Sequence, residues 1–108
     1  MNSPKTIAIG IVLFALLTLS PAMSAVAAGN PMRGQSIYTV HCAGCHGGDG
    51  RGVVAGAPSF QAGTTTLMKP DNDLALTIRR GKGIMPGFES ILQPDQISDV
   101  IAHLRTFF

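Results

Sequence analysis

The sequence contains only two cysteines, and both lie in one five-residue stretch, Cys42-Ala43-Gly44-Cys45-His46. Two thiols at this spacing can each form a thioether bond to a vinyl group of one haem. The histidine that follows directly is then held under the porphyrin, where a ring nitrogen can reach the iron. The pattern Cys-x-x-Cys-His is the attachment signature of c-type haem, so the stretch predicts covalent attachment of one haem.

Three alternative roles for the two cysteines have weaker support. A thioredoxin-like redox pair requires a βαβ setting, and the sequence shows no such pattern. A tetrahedral zinc site needs four ligands, but there is no second cysteine pair, and His41 and His103 complete the set poorly. A disulfide between Cys42 and Cys45 would close a small and strained loop.

The first 27 residues have the layout of a secretory signal peptide. Lys5 supplies the positive charge of the amino-terminal region, and an apolar run of 13 residues extends over Ile7–Leu19. Pro21 ends the run. Small residues then stand at the −3 and −1 positions of a cleavage site in Ala25-Val26-Ala27. The sequence therefore predicts export, with residues 1–27 as the leader.

Two details of the export prediction stay open. Cleavage after Ala27 would leave a mature domain over residues 28–108, and cleavage after Ala28 fits nearly as well. An uncleaved membrane anchor would need about 20 apolar residues, which the run reaches only by crossing Ser20 and Pro21. We predict a periplasmic protein, with a membrane-anchored form that faces the periplasm as the alternative.

Composition limits the mature chain to one small domain with little material for a core. The sequence has no Trp and only one Tyr, and no cysteine outside the motif is available for a disulfide. A domain of this size usually needs a metal, a disulfide or a cofactor, and a buried porphyrin would supply the missing apolar surface. Without Lys5, seven basic residues stand against six acidic ones. With no run of like charges, nucleic-acid binding is not expected.

Three helices are predicted in the mature chain, over about 31–40, 71–80 and 94–107. Asn30 is a suitable cap for the first helix, and Gly34 and Tyr38 share one of its faces at i, i+4. For the second helix, the polar residues 71–73 offer caps and favourable charge at the start. Its buried stripe would consist of Leu74 and Ile78.

The last helix carries the clearest periodic pattern. Its apolar residues follow the i, i+3, i+4, i+7, i+11 spacing of one buried face. These residues are Ile97, Val100, Ile101, Leu104 and Phe108. His103 falls off this stripe, so we predict a surface position for it.

The segment 47–58 follows the cysteine motif directly. It has five glycines between positions 47 and 56, which favours a tight irregular loop. It lacks the Gly-Lys-Ser/Thr ending and the preceding strand of a phosphate loop. We predict that it wraps along the haem edge on the side of His46. A carbonyl of this loop would accept the second ring N–H of that histidine, as is usual for metal-bound histidines.

The segment 81–88 presents a candidate iron ligand, Met85, which is followed by Pro86. A thioether on such a loop can serve as the sixth ligand, since Met/His ligation is a known haem arrangement that raises the potential. Most methionines are core filler, so alternatives stay open. Met68 is the competing ligand, although its flanks fit core packing better, and His103 would give bis-histidine ligation.

Taken together, these motifs resemble the small class I bacterial c-type cytochromes. The resemblance covers essentially all of the mature chain in order, from the first helix through the cysteine motif, the glycine-rich loop, the second helix and the Met-Pro loop to the last helix. It implies an all-α, cytochrome c-like fold of three to four helices wrapped around one covalently bound haem.

The resemblance also assigns roles to individual residues. It implies that Cys42 and Cys45 carry the two thioether bonds. His46 would be the proximal iron ligand and Met85 the distal one. The carbonyl of Pro58 would accept the hydrogen bond from the proximal imidazole. The first-helix pair Gly34 and Tyr38 matches residues that cross the last helix, where Leu104 and Phe107 fill the partner positions.

The implied function is that of a monomeric one-electron carrier, not an enzyme. The iron would cycle between Fe(III) and Fe(II) with both ligands bound, and redox proteins would exchange electrons with it at the exposed haem edge. Arg79, Arg80 and Lys82 would either orient acidic partners or simply stabilise a helix end. The alternatives are a haem-based ligand-binding or peroxidase-like enzyme, which needs an open sixth position, and a haem-delivery or assembly factor.

Overall fold

Helices make up the regular secondary structure in the part of the chain that the computed structural model describes, Asn2 and residues 29–108. In chain order they are helices α1 (Pro31–His41) and α2 (Ala43–His46), a 3-10 turn (Thr66–Met68), helices α3 (Asp71–Arg80) and α4 (Pro94–Leu104), and a second 3-10 turn (Arg105–Phe107). The all-α prediction is confirmed. Apart from Asn2, the predicted leader, its cleavage site and the alternative anchor lie outside the described residues. Among the described helices, none has the length and apolar character needed to cross a membrane.

Helix α1 begins where the sequence predicts. The Asn30 side chain accepts hydrogen bonds from the backbone N–H groups of Met32 (2.9 Å) and Arg33 (3.1 Å). These bonds satisfy two of the donors that the first turn of a helix leaves unpaired. The helix buries Gly34 and Tyr38, the pair predicted to share a face.

Helices α1 and α4 approach each other most closely at Gly34. A Cβ atom built on Gly34 would lie 1.9 Å from the carbonyl oxygen of Asp99, so a side chain there would push the helices apart. One turn later, the Tyr38 ring packs against His103 and Phe107, with centroid distances of 5.0 and 5.5 Å. The predicted contact of this α1 face with Phe107 is therefore observed.

A buried carboxylate fastens the start of α1 to α4. The side chain of Asp99 is 4% exposed. It accepts hydrogen bonds from the Arg33 guanidinium at 2.8 and 3.1 Å and from the Asn30 backbone N–H at 2.6 Å. The bonds from Arg33, then from Asn30, hold the pKa of Asp99 below its ordinary value. Loss of Arg33 would leave a buried charge without its partner, so this contact fixes how the two helices meet.

We expect Gly34→Ala to destabilise the folded protein by on the order of 1–2 kcal/mol. Alanine favours a helix by about 1 kcal/mol over glycine, but overpacking costs about 1–3 kcal/mol, and the obstacle here is backbone, which cannot rotate away. Denaturant unfolding measures the difference. Gly48→Ala is the control, because a Cβ atom there meets nothing within 4 Å. Equal stability losses in the two variants would contradict the importance of the close approach.

Helix α3 begins and ends where the sequence predicts, at Asp71 and Arg80, and it has the predicted apolar stripe. The expected favourable charge at its start is also observed, because Asp71 and Asp73 lie in the first turn. The capping role expected of residues 71–73 is wrong, since Pro70 occupies the cap position and no side chain caps the helix. The Asp71 carboxylate instead pairs with Arg105 at 2.6 Å, which ties α3 to the second 3-10 turn.

The end of α4 departs from the predicted continuous helix. The α-helix ends at Leu104 and gives way to the tighter 3-10 turn, which changes the direction in which the following side chains leave the helix axis. As a result Phe107 packs against the core, whereas Phe108 is 60% exposed. The prediction that Phe108 belongs to the buried stripe is wrong, and its other four members are buried as predicted.

The predicted surface position of His103 is also wrong. The residue is 8% exposed, and its ring lies between those of Tyr38 and Phe107, each 5.0 Å away. Helix α4 is covered on two sides, by the core along its apolar stripe and by α1 along the face that carries His103. The apolar stripe of α4 predicts its contact with the core but not its contact with α1, which buries His103. Burial lowers the pKa of His103, which favours a neutral ring.

Candidate functional site

A cavity of about 610 Å³ opens between the cysteine motif and the loop that carries Met85. Most of its lining comes from three stretches of chain, within residues 41–46, 54–58 and 82–86. Pockets that hold small molecules and cofactors typically enclose about 300–1,000 Å³ and are mostly apolar. This cavity has both properties. The predicted attachment motif lines one part of it, and the loop that carries the predicted ligand Met85 lines another.

Both cysteines line the cavity, and neither takes part in a disulfide. The short helix α2 sets their spacing, with the backbone N–H groups of Cys45 and His46 both donating to the Cys42 carbonyl at 3.2 and 3.0 Å. Burial, and secondarily the charge of Cys45, raises the pKa of Cys42 to about 11. The thiol of Cys42 is therefore protonated at neutral pH, and both sulfurs face a space in which a macrocycle could be bound.

The His46 imidazole is buried and is oriented by the chain twelve positions later. Its Nδ1 atom lies 3.4 Å from the carbonyl oxygen of Pro58. Because a carbonyl can only accept, Nδ1 must carry the proton for this bond to form, which leaves the lone pair of Nε2 available to a metal. Burial lowers the pKa of His46 more than the bond to Pro58 raises it, so the neutral, ligand-competent ring is favoured.

The glycine-rich loop folds back onto the cysteine motif. The Gly52 N–H donates to the His46 carbonyl at 2.7 Å, and the Val53 N–H donates to the Cys45 carbonyl at 2.8 Å. Gly52 has φ of +87°, and a Cβ atom there would lie 2.7 Å from the Ala57 carbonyl oxygen, so only glycine suits this close turn. The fold of this loop places the Pro58 carbonyl beside the His46 imidazole.

One residue at this site, Phe60, has no counterpart among the sequence predictions. Its buried ring stacks on the His46 ring with centroids 4.6 Å apart and 26° between the planes. The only signal in the sequence is an aromatic residue two positions after Pro58, which does not by itself indicate contact with the imidazole.

Met85 lies on a tightly held loop and lines the same cavity as His46. Paired hydrogen bonds between the backbones of Lys82 and Met85, 3.1 and 3.0 Å long, close the turn. A Cβ atom on Gly81 would lie 2.4 Å from the Met85 carbonyl oxygen, so this loop packs directly against the end of α3. Met85 is half-buried and packs against the core.

The two competing distal ligands do not line the cavity. Met68 is 71% exposed, which also corrects the expectation that it packs in the core. It lies in a 3-10 turn whose buried member is its neighbour Leu67. His103 is enclosed by the rings of Tyr38 and Phe107. The structure thus brings five predicted residues to one site and leaves out the alternatives. The five are Cys42, Cys45, His46, Pro58 and Met85.

The cavity mouth combines apolar and basic side chains. Ile84 is 82% exposed although it lines the cavity next to Met85, and Lys82 lies on the same rim. Arg79 is engaged by Glu89 at 2.5 Å, and that contact lowers the pKa of the Glu89 carboxyl. Lys82 is therefore better placed than Arg79 to meet an acidic partner at this opening.

The described residues give no support to a zinc site or a thioredoxin-like pair. Within residues 29–108 no group of three or more His, Cys, Asp or Glu side chains converges as a metal site would require. The described part of the chain contains no β-strand, so the setting of a thioredoxin-like pair is missing there. Two unbridged thiols, a neutral imidazole and a mostly apolar cavity fit a covalently attached porphyrin.

Comparison with known proteins agrees with this site. The protein family described as "Cytochrome C oxidase, cbb3-type, subunit III" matches residues 29–104. The cytochrome c6 of Nostoc sp. strain PCC 7120 is 30% identical over 105 residues, which cover 89% of this chain and 84% of the relative. The cytochrome c6 of Limnospira maxima is 32% identical over 81 residues, which cover 70% of this chain and 91% of the relative.

The fold has solved counterparts as well. The c-type cytochrome KustC0563 superposes with a TM-score of 0.64 at 26% identity, covering 68% of this chain and 95% of that protein. The chain therefore belongs to the class I c-type cytochromes. Its cofactor is a covalently bound haem c, and it acts in electron transfer and not as an enzyme.

Proposed function

We propose that Cys42 and Cys45 hold the haem through thioether bonds and that His46 and Met85 bind its iron from opposite sides. The observation that carries the proposal is the shared cavity, which all four residues line. Pro58 would keep the imidazole in the required tautomer through its carbonyl, and such a partner also raises the basicity of the ligand. When bound, the haem supplies a one-electron Fe(III)/Fe(II) couple.

The residues around the site suit a carrier that does not rearrange. Met85 would supply the second iron ligand, and the backbone hydrogen bonds between Lys82 and Met85 would limit the movement of its loop. Two loops, one around Val54 and the other around Ile84, contribute apolar lining that would limit water at the site. Exclusion of water and a soft sulfur ligand both tune the potential, so the chain itself would set the driving force for transfer.

We infer that the carrier works as a monomer in the periplasm, after removal of residues 1–27. The composition of the leader supports export. Its partners would be redox proteins that meet the rim around Lys82 and Ile84, where an exposed apolar side chain and a positive charge lie together. Such a rim suits an acidic surface with an apolar centre, which gives fast but weak association.

The peroxidase-like alternative has little support at this site. Acid–base catalysis on a bound ligand needs a titratable group within hydrogen-bond reach. No carboxylate occurs among the described residues that line the cavity, and the titratable side chains there besides the two cysteines and His46 are His41, next to the attachment motif, and Lys82, on the Met85 loop. The nearest chain neighbours of Met85 on its rim, Ile84 and Pro86, carry no acid–base group. A closed sixth position and an apolar distal side both favour the electron carrier.

The test is the mass and the optical spectrum of the purified protein. We expect one covalently attached haem, loss of residues 1–27 or 1–28, and a sulfur-to-iron charge-transfer band that carbon monoxide does not readily abolish. A high-spin five-coordinate spectrum would favour the enzyme over the carrier. A colourless product with two free thiols, made in cells able to mature such proteins, would refute the assignment of the two cysteines.

A further inference from the structure

An aromatic side chain that no motif requires covers one face of the His46 imidazole. Phe60 is buried, and its ring lies 4.6 Å from the His46 ring at an angle of 26°, within the range of stacked aromatic pairs. The hydrogen bond that orients the same imidazole, from Nδ1 to the Pro58 carbonyl, is long at 3.4 Å. A bond of that length constrains the ring only weakly, so the stacked Phe60 ring adds a second restraint on the imidazole.

Phe60 is itself held from two directions. Its backbone N–H donates to the Gly50 carbonyl at 2.7 Å, which fixes its main chain to the glycine-rich loop. The Phe107 ring lies nearly parallel to it, with 12° between the planes and centroids 6.4 Å apart. Phe107 is in turn supported by Tyr38 and by the close approach of Gly50, where a Cβ atom would lie 2.9 Å from the Phe107 ring. Phe60 therefore cannot swing aside easily.

We propose that Phe60 is a positioning residue that sets the rotational angle of the proximal imidazole plane, with Phe107 as its support. The inference rests on the proposed binding of iron by His46. Rotation of the imidazole about its bond to a metal would drive the ring edge into Phe60. Stacking therefore restricts the angle of the imidazole plane, which the long hydrogen bond alone would leave free to vary. The plane determines which iron d orbital the imidazole π system meets, and thus how unpaired spin spreads over a porphyrin.

Paramagnetic NMR of the oxidised holoprotein tests the proposal, because the four haem-methyl shifts depend on the angle of the imidazole plane as well as on the orientation of the methionine ligand, which Phe60 does not contact at its place beside His46. We expect Phe60→Leu to change the order or the spread of these shifts, since leucine is apolar but has no flat face. Phe107→Leu, at a half-buried and therefore more tolerant position, should cause a smaller change. It also serves as the test if Phe60→Leu does not fold. Phe60→Tyr restores a flat ring and should return the wild-type order.

Leu92→Ala is the control. Leu92 is about as buried as Phe60, but it does not line the cavity that would hold the haem, so this variant should lose stability and keep the wild-type order of shifts. Unchanged haem-methyl shifts in both Phe60→Leu and Phe107→Leu, with only a lower unfolding midpoint, would overturn the proposal. The ligation of iron by His46 is tested separately in the unaltered protein. Ring protons of His46 without hyperfine shifts would refute its ligation, whatever the variants show.

Discussion

Met85→Ala is expected to yield a protein that keeps its haem, loses the sulfur-to-iron charge-transfer band and binds carbon monoxide readily. Alanine offers no donor atom, and neither do its chain neighbours Ile84 and Pro86, which line the cavity beside it. The reduction potential should fall by on the order of 0.1 V, a modest part of the range of roughly 0.8 V over which axial ligands set haem potentials. Optical spectroscopy with and without carbon monoxide and a redox titration measure both effects.

Met68→Ala is the matched control for this prediction. It makes the same substitution at a methionine that is 71% exposed and away from the cavity, so its spectrum and potential should equal those of the unaltered protein. An unchanged spectrum in Met85→Ala would contradict the proposed ligand set. Loss of the band in Met68→Ala would contradict it as well, because that result would require the first 3-10 turn to move into the cavity.

The five candidate site residues are singled out by local sequence patterns, and the structure places all of them along one cavity. Attachment chemistry fixes the spacing of Cys42, Cys45 and His46 within five positions, so a local pattern carries the information. The candidate Met85 follows from similar local reasoning, a methionine on a Gly- and Pro-rich loop. Their meeting in one cavity cannot be derived from spacing alone, because it depends on how α3 and the loops on either side of it close around that space.

The error at His103 comes from a contact between segments that are distant in the chain. The apolar stripe of α4 predicts a surface position for His103, but its burial depends on α1, more than 60 residues earlier. The same crossing creates the partners of Asp99, a charged residue that periodicity places at no core position. Stacking of Phe60 on His46 is likewise a tertiary contact. Hydrophobic periodicity describes one face of one helix. It cannot show that a second element packs against another face of the same helix.

The double substitution Cys42→Ala, Cys45→Ala is expected to abolish covalent haem attachment and to leave a poorly folded chain. The cavity explains the second effect. Without the haem, the mostly apolar residues around a cavity of about 610 Å³ would face water or empty space and lose the stabilisation that burial of apolar surface gives. A whole domain is stable by only about 5–15 kcal/mol. The haem-free chain should therefore collapse or unfold and not keep an empty cavity.

Mass spectrometry of the exported protein, circular dichroism and denaturant unfolding measure the outcome of the double substitution. We expect no added haem mass, reduced helix content and no cooperative unfolding transition. His41→Ala is the control, since His41 lines the same cavity beside Cys42 but has no part in the attachment; it should retain the haem and the transition. A helical, haem-free double variant with a sharp transition would show that the packing of α1 against α4 suffices to hold the fold. The protein would then fold without the haem and bind it in a preformed cavity, and folding would not depend on the haem as part of the core.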